Sequence, residues 1–219
     1  VTSDTVRSNI IVFNENTSYR PGVHVTGCID PVINNNIIAY CSWQGAVYFN
    51  SSTNPTASNN IFLHCQYGVY NIGFSNIFNN IFMNNSNGIT VQSGSPSIAN
   101  NCFFNNTSDG STGTDPILED PEFVDFTPTD TYTDESYDND NYDFHLQPGS
   151  PCIDSGYILV DYNDLDGSRN DPGIYGWLWP MGVTGAPDMP VINQISIEDP
   201  GIAPGGTISI EVIGRFGDQ

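Results

Sequence analysis

The sequence contains no lysine, and its only fixed cations are Arg7, Arg20, Arg169 and Arg215. Against these stand 25 acidic residues in a chain of 219, a formal net charge of −21. A polyanion of this kind repels phosphate backbones and anionic membrane surfaces, so nucleic acid is excluded as a partner. Charge of either sign is scarce in the first half. Asp4, Glu15 and Asp30 are the acidic residues before Asp109, which leaves 22 for the remainder. Long apolar runs are missing as well. None approaches the roughly 20 residues needed to cross a bilayer, so no direct membrane insertion is expected. Leu63 is the single leucine before Asp109, too few for a leucine-rich repeat. Cysteine is sparse and odd in number, five in all, with no zinc-ligand spacing. Neither an initiator Met nor a basic-then-apolar leader precedes Val1, so the chain is expected to be a mature or excised piece of a longer protein.

What is present is a phrase repeated five times. Ser8-Asn9-Ile10-Ile11, Asn35-Asn36-Ile37-Ile38, Asn59-Asn60-Ile61-Phe62, Asn79-Asn80-Ile81-Phe82 and Asn100-Asn101-Cys102-Phe103 align. The interval is one of roughly 20 to 30 residues, the period of a solenoid. Asn pairs, frequent Gly and β-branched runs are poor helix material. Short apolar runs ended by polar turns suit the strands of a parallel sheet. A coil of this length with two or three such strands is similar to a right-handed parallel β-helix. Stacked coils lie about 4.8 Å apart, so like residues form ladders, and Asn side chains can donate and accept along them. Five places after the Asn pair stand Asn14, Cys41, Cys65, Asn85 and Asn106. Cys41 and Cys65 are therefore neighbours in one column. Side chains on adjacent parallel strands point alike, which is poor disulfide geometry, so buried thiols are expected there. Gly45, Gly68 and Gly88 are expected to supply bends that need φ > 0 or close backbone approach.

From Asp109 the repeat fades into Asp- and Pro-punctuated sequence. DPEFVD (120–125), FHLQPGSPCIDSG (144–156) and DLDGSRNDPGIYG (164–176) follow one another in that order. Together with the coils they resemble the C-terminal end of secreted and cell-surface right-handed β-helix repeat proteins of the pectate-lyase-like superfamily. The resemblance covers residues 8 to 176 and implies an extracellular setting. It implies no single activity, because that architecture carries lyases, hydrolases, adhesins and wall-bound scaffolds.

The expected fold is all-β: coils over 1–108, an acidic terminal coil and cap over 109–180, a Gly/Pro linker over 181–190, and partial immunoglobulin-like strands over 191–219. Those last strands alternate apolar and polar residues but are too few for a sandwich of about 100 residues. Either the chain is cut there, or another subunit completes them.

Catalytic patterns are weak. A lyase needs an Arg or Lys base beside calcium held by Asp, and a glycosidase needs two carboxylates about 5 to 9.5 Å apart across a groove. The coils offer Arg7, Arg20, Glu15 and Asp30, scattered over different turns. There is no G-x-S-x-G elbow either. No catalytic residue is assigned. Asp161, Asn163, Asp164 and Asp166 crowd oxygen donors ahead of Gly167, an arrangement suited to Ca2+. The competing account is an Asp-rich turn neutralised by Arg169. Trp177 and Trp179 follow Tyr175 closely and either cover the last coil or offer a stacking platform for glycans. The function expected is a non-catalytic structural, stalk or adhesin module that self-associates or meets other surface subunits. The alternative is a carbohydrate-binding or polysaccharide-degrading module.

Overall fold

The structure is a computed structural model that describes residues 4–12, 21–42, 44–126, 142–158, 163–164 and 167–176, with two further strands at 191–198 and 209–215. Three parallel sheets of five short strands form a solenoid. The first holds β1 (Thr5–Arg7), β4 (Val32–Asn34), β7 (Thr56–Ser58), β10 (Asn76–Phe78) and β13 (Ser97–Ala99). The second holds β2 (Ile10–Val12), β5 (Ile37–Ala39), β8 (Ile61–Leu63), β11 (Ile81–Met83) and β14 (Cys102–Phe104). The third holds β3 (Val23–Thr26), β6 (Val47–Asn50), β9 (Tyr67–Ile72), β12 (Asn87–Ser93) and β15 (Ser108–Gly110). Each coil contributes one strand to every sheet, so the sequence period becomes the stacking period. Register is strict: Ile10, Ile37, Ile61, Ile81 and Cys102 pair in one row, and Ile11, Ile38, Phe62, Phe82 and Phe103 in the next.

These two rows face opposite ways, because successive side chains of a strand alternate. Ile38, Phe62, Phe82 and Phe103 fill the interior with Ile33, Ala57, Ile77, Val47, Val69 and Ile89. Phe62, Phe82 and Phe103 continue as a ring stack with centroids 5.0 Å apart. Ile37, Ile61, Ile81 and Cys102 point outward into a second apolar cluster with Phe123, Phe126, Phe144, Cys152 and Ile174. The second sheet is thus buried on both faces, which is why its strands read as unbroken apolar runs.

The two residues of each Asn pair do different work. The first lies in the left-handed region, with φ of 53° at Asn35, 54° at Asn59, 58° at Asn79 and 51° at Asn100. Asn tolerates that conformation better than bulkier residues do. It turns the chain from the first sheet into the second. The next Asn points inward and forms a continuous ladder. Asn36 Nδ2 donates to Asn60 Oδ1 at 3.0 Å, Asn60 to Asn80 at 2.9 Å, and Asn80 to Asn101 at 3.0 Å. Each Oδ1 also accepts the backbone N–H of the preceding coil's Asn. A second ladder runs at the next corner, where Cys41 N–H donates to Cys65 Sγ, Cys65 N–H to Asn85 Oδ1, and Asn85 N–H to Asn106 Oδ1. Cys41 and Cys65 are buried thiols within it. Asn14 lies outside the described residues.

The glycines divide as well. Gly45 takes φ +78°, whereas Gly68 and Gly88 need no positive φ. At those two, a Cβ would collide with the Phe82 and Phe103 rings of the next coil. Thr114 and Ile117 add single parallel bridges to Ala99 and Cys102, the beginning of a further turn. The chain then forms the antiparallel pair β16 (Phe123–Asp125) and β17 (Asp143–Leu146) and lies against the outer face of the second sheet. Phe123, Phe126, Phe144, Cys152 and Ile174 of the acidic segment therefore cover the flank of the solenoid. β18 (Val191–Glu198) and β19 (Ser209–Arg215) pair antiparallel.

Candidate functional site

The flank is where nonrepeating sequence meets the coils, and it is docked by the outward Asn row. Asn100 Nδ2 donates to Ser155 O at 2.9 Å, and Asn79 Oδ1 accepts the Tyr157 N–H at 2.7 Å. Asn59 and Asn79 both donate to Asn170 Oδ1 at 2.9 Å, and Asn59 also reaches Asp171 O and Gly173 O. Asn35 Nδ2 donates to Ile174 O and Gly176 O at 2.9 and 3.0 Å. The described residues 155–158 and 167–176 thus lie along the corner, from the coil of Asn100 to that of Asn35. Arg169 ties this strap to itself, donating through Nε to Gly156 O and through its terminal nitrogen to Ser155 O.

A cavity of about 150 Å³ opens between the strap and β17, lined by Phe144, His145, Ile153, Asp171, Ile174 and Tyr175 among others. Asp143 and His145 stand two apart on one strand and so share a face. His145 Nδ1 lies 2.5 Å from Asp143 Oδ1, and the imidazole stacks on Tyr175 with centroids 3.7 Å apart. Burial by itself would raise the Asp143 carboxyl. Hydrogen bonds from the His145 backbone N–H and ring outweigh it and hold the group below its ordinary 3.8. Burial, then the Asp143 charge, push the Tyr175 phenol up to about 12. Such a cavity is about half the size of a small drug-binding pocket, room for one ring or a few waters. The sequence signal for this cluster was the D-x-H spacing in a strand; nothing local announced Tyr175.

Both shifts act on stability through linkage. The Tyr175 folded value lies above its ordinary 10.0, so its contribution is complete below about pH 10 and is lost as pH rises towards 12. The Asp143 value is depressed, so its contribution is present above the ordinary carboxylate range and is lost on acidification. Thermal melts should therefore fall off alkaline of pH 10, and Tyr175→Phe should flatten part of that limb. Identical pH 7-to-11 losses in wild type and variant would refute the assignment.

On the third sheet the outward column is aromatic. His24 stacks on Tyr48 at 4.8 Å, Tyr70 meets Tyr48 edge-on at 5.6 Å, and Tyr70 Oη donates to Gln92 Oε1 at 2.9 Å. Full charge is nearly missing from the coils: among their described residues through Gly110 only Asp4, Arg7, Asp30 and Asp109 carry it, and Asp109 accepts from Asn106 Nδ2 at 3.0 Å. Asp30 is exposed and accepts from Asn54 Nδ2 of the next coil at 3.2 Å.

With the coils and their ladders described, comparison with known proteins decides the family. A profile described as the right-handed β-helix region matches residues 2–116, more than half of the chain. The protein belongs to the right-handed β-helix family. No curated protein and no solved structure matches it.

Of the oxygen donors marked in the sequence of this β-helix, Asn163 and Asp164 fall in a described turn, whereas Asp161 and Asp166 lie outside the described residues. Asn163 Nδ2 donates to Gly167 O at 3.1 Å, and Asp164 Oδ2 accepts the Asp171 N–H at 3.0 Å. Asp164 thereby closes its turn onto the strap. Trp177 and Trp179 also lie outside the described residues. The chain enters them from Gly176, whose carbonyl is held by Asn35.

Proposed function

We propose that this β-helix is a non-catalytic extracellular module of a cell-surface protein, acting as an assembly unit, stalk or adhesin. One observation carries the proposal: the Asn amide groups at the coil corners donate to one another and to the strap. The inner Asn bond to Asn, the outer Asn bond to the strap, and the described coil positions through Gly110 hold only Asp4, Arg7, Asp30 and Asp109 as charged groups. General acid–base chemistry needs paired titratable groups poised over a substrate, and coils built this way supply stiffness instead. Calcium is part of the proposal, bound by Asp161, Asn163, Asp164 and Asp166 and bracing the turn that Asp164 already closes onto Asp171. Self-association or docking with other surface subunits would use the exposed solenoid and the terminal strands.

Negative-stain electron microscopy with calcium and with chelator tests this. Ordered filaments or sheets support the assembly unit, and calcium dependence supports the metal. Dispersed particles in both conditions count against assembly, and a melting temperature indifferent to chelator removes the calcium site.

Glycan binding is the second reading, favoured by the His24–Tyr48–Tyr70 column and by Trp177 and Trp179. Aromatic rings stack on sugar faces. A glycan array that retains no ligand, or one whose signal survives Trp177→Ala and Trp179→Ala, would argue against that platform.

A further inference from the structure

Two cysteines that are 50 positions apart in sequence share one buried cluster inside the flank. Cys102 begins β14 and occupies the outward apolar row of the second sheet, where the earlier coils have Ile37, Ile61 and Ile81. Cys152 comes from the turn that follows β17. Both are at 0% exposure and share one apolar cluster. Cys152 is the first group that perturbs the Cys102 thiol, which agrees with their shared burial. Cys102 Sγ also reaches Glu119 O at 3.5 Å, and Cys152 N–H donates to Ser150 Oγ at 3.1 Å, so backbone contacts hold both residues.

We propose that Cys102 and Cys152 are a disulfide-forming pair that covalently staples the flank cover to the solenoid. The two residues come to one buried cluster from different elements, a strand and a turn, so the parallel-strand geometry that holds neighbouring side chains side by side does not constrain them. Cys41 and Cys65 are the instructive contrast. They sit on successive coils of one corner column, where side chains run side by side, and Cys41 N–H already uses Cys65 Sγ as an acceptor. Cys28, only partly buried, is the odd thiol left over. One bond, between 102 and 152, is therefore the expected oxidised state.

The oxidant is a small-molecule disulfide. One protein thiolate attacks a sulfur of that reagent, forming a mixed disulfide and releasing one small thiolate. The second protein thiolate then displaces the other small thiolate, which closes the 102–152 bond. Two electrons pass to the reagent, and the two protons lost by the protein thiols go to the released thiolates. The neighbouring Cys152 thiol, then burial, push the Cys102 thiol up, so thiolate is scarce once the cover is docked. Closure belongs to folding, before the strap seals the cluster. The bond encloses residues 103–151, including the acidic run 127–141, in a covalent loop. This chemistry does not depend on the extracellular proposal, since it is tested in vitro whichever compartment the protein occupies.

The test is to refold the full chain with a mixture of oxidised and reduced glutathione, denature it, alkylate the remaining thiols and map peptides by mass spectrometry without reduction. Three alkylated cysteines (28, 41 and 65) and a 102–152 linked peptide are expected. The melting temperature should fall by about 10 °C on reduction, the scale for a disulfide closing a loop of this length in a chain this size. Cys152→Ala should remove both the linked peptide and that reduction-dependent fall, whereas Cys28→Ser should keep both. Five alkylated cysteines in the refolded protein, or a bond mapped to Cys41 and Cys65, would overturn the proposal.

Discussion

Replacing Asn60 by aspartate should abolish folding or lower the melting temperature by well over 10 °C, although the two side chains have the same shape. The Asn60 amide nitrogen is directed at three acceptors, Ile33 O at 2.9 Å, Ser58 O at 3.0 Å and Asn80 Oδ1 at 2.9 Å. Its oxygen accepts from both the backbone N–H and the side chain of Asn36. Aspartate keeps the accepting half and loses the donating half, setting a carboxylate oxygen against three other oxygens at a fully buried position. Each orphaned buried group costs about 1–3 kcal/mol and an uncompensated buried charge more, so a loss above about 4 kcal/mol is expected. In a chain of this size that corresponds to a fall in melting temperature of about 10 °C or more. Asn105→Asp is the matched control. Asn105 is exposed with φ 55°, where Asp is also tolerated, and it donates only to Asn84 Oδ1. Its melting temperature should move by no more than about 2 °C, the usual range for surface changes. Equal small shifts for both variants, followed by circular dichroism, would mean that the inner ladder contributes little.

The second large effect is expected at Gly45. Its φ of +78° penalises any side chain, and an added Cβ would also run into the Tyr67 carbonyl of the next coil. That carbonyl cannot retreat cheaply, because it accepts the Ala46 N–H at 2.7 Å and so fixes the spacing between coils. Gly45→Ala should cost about 3 kcal/mol or more, the upper range for overpacking against backbone. Gly27 separates the two causes. It has φ +66° with open space, nothing within 4 Å, where a Cβ would stand. Gly27→Ala should therefore lose only the left-handed penalty, about 1 kcal/mol. Similar urea midpoints for the two variants would show that conformation, and not close stacking, sets the requirement at Gly45.

How much of this was legible depends on whether a feature repeats. The Asn pairs, the Ile and Phe columns and the Asn/Cys column recur once per coil, so their spacing could be read directly as stacking. The candidate site has no such period. Asp143 and His145 carry a weak local signal as D-x-H in a strand, but Tyr175 reaches them from about 30 residues downstream. Of the Asp-rich run, Asp164 accepts the Asp171 N–H, a partner that no local spacing announced.

By itself the sequence determined the solenoid and its all-β character, because one coil is one period and parallel stacking places like on like. It also determined the charge division that leaves the coils nearly neutral. Tertiary structure alone decided that the two residues of an Asn pair face opposite ways, one turning inward to the ladder and the other outward to the strap. It decided that the described part of the acidic segment lies along the flank, and that Cys102 and Cys152 share one buried cluster there. Those outcomes rest on a single nonrepeating segment docking on a repeating surface. Such contacts are set by shape and hydrogen-bond complementarity over long sequence separation, and they leave no periodic trace in the chain.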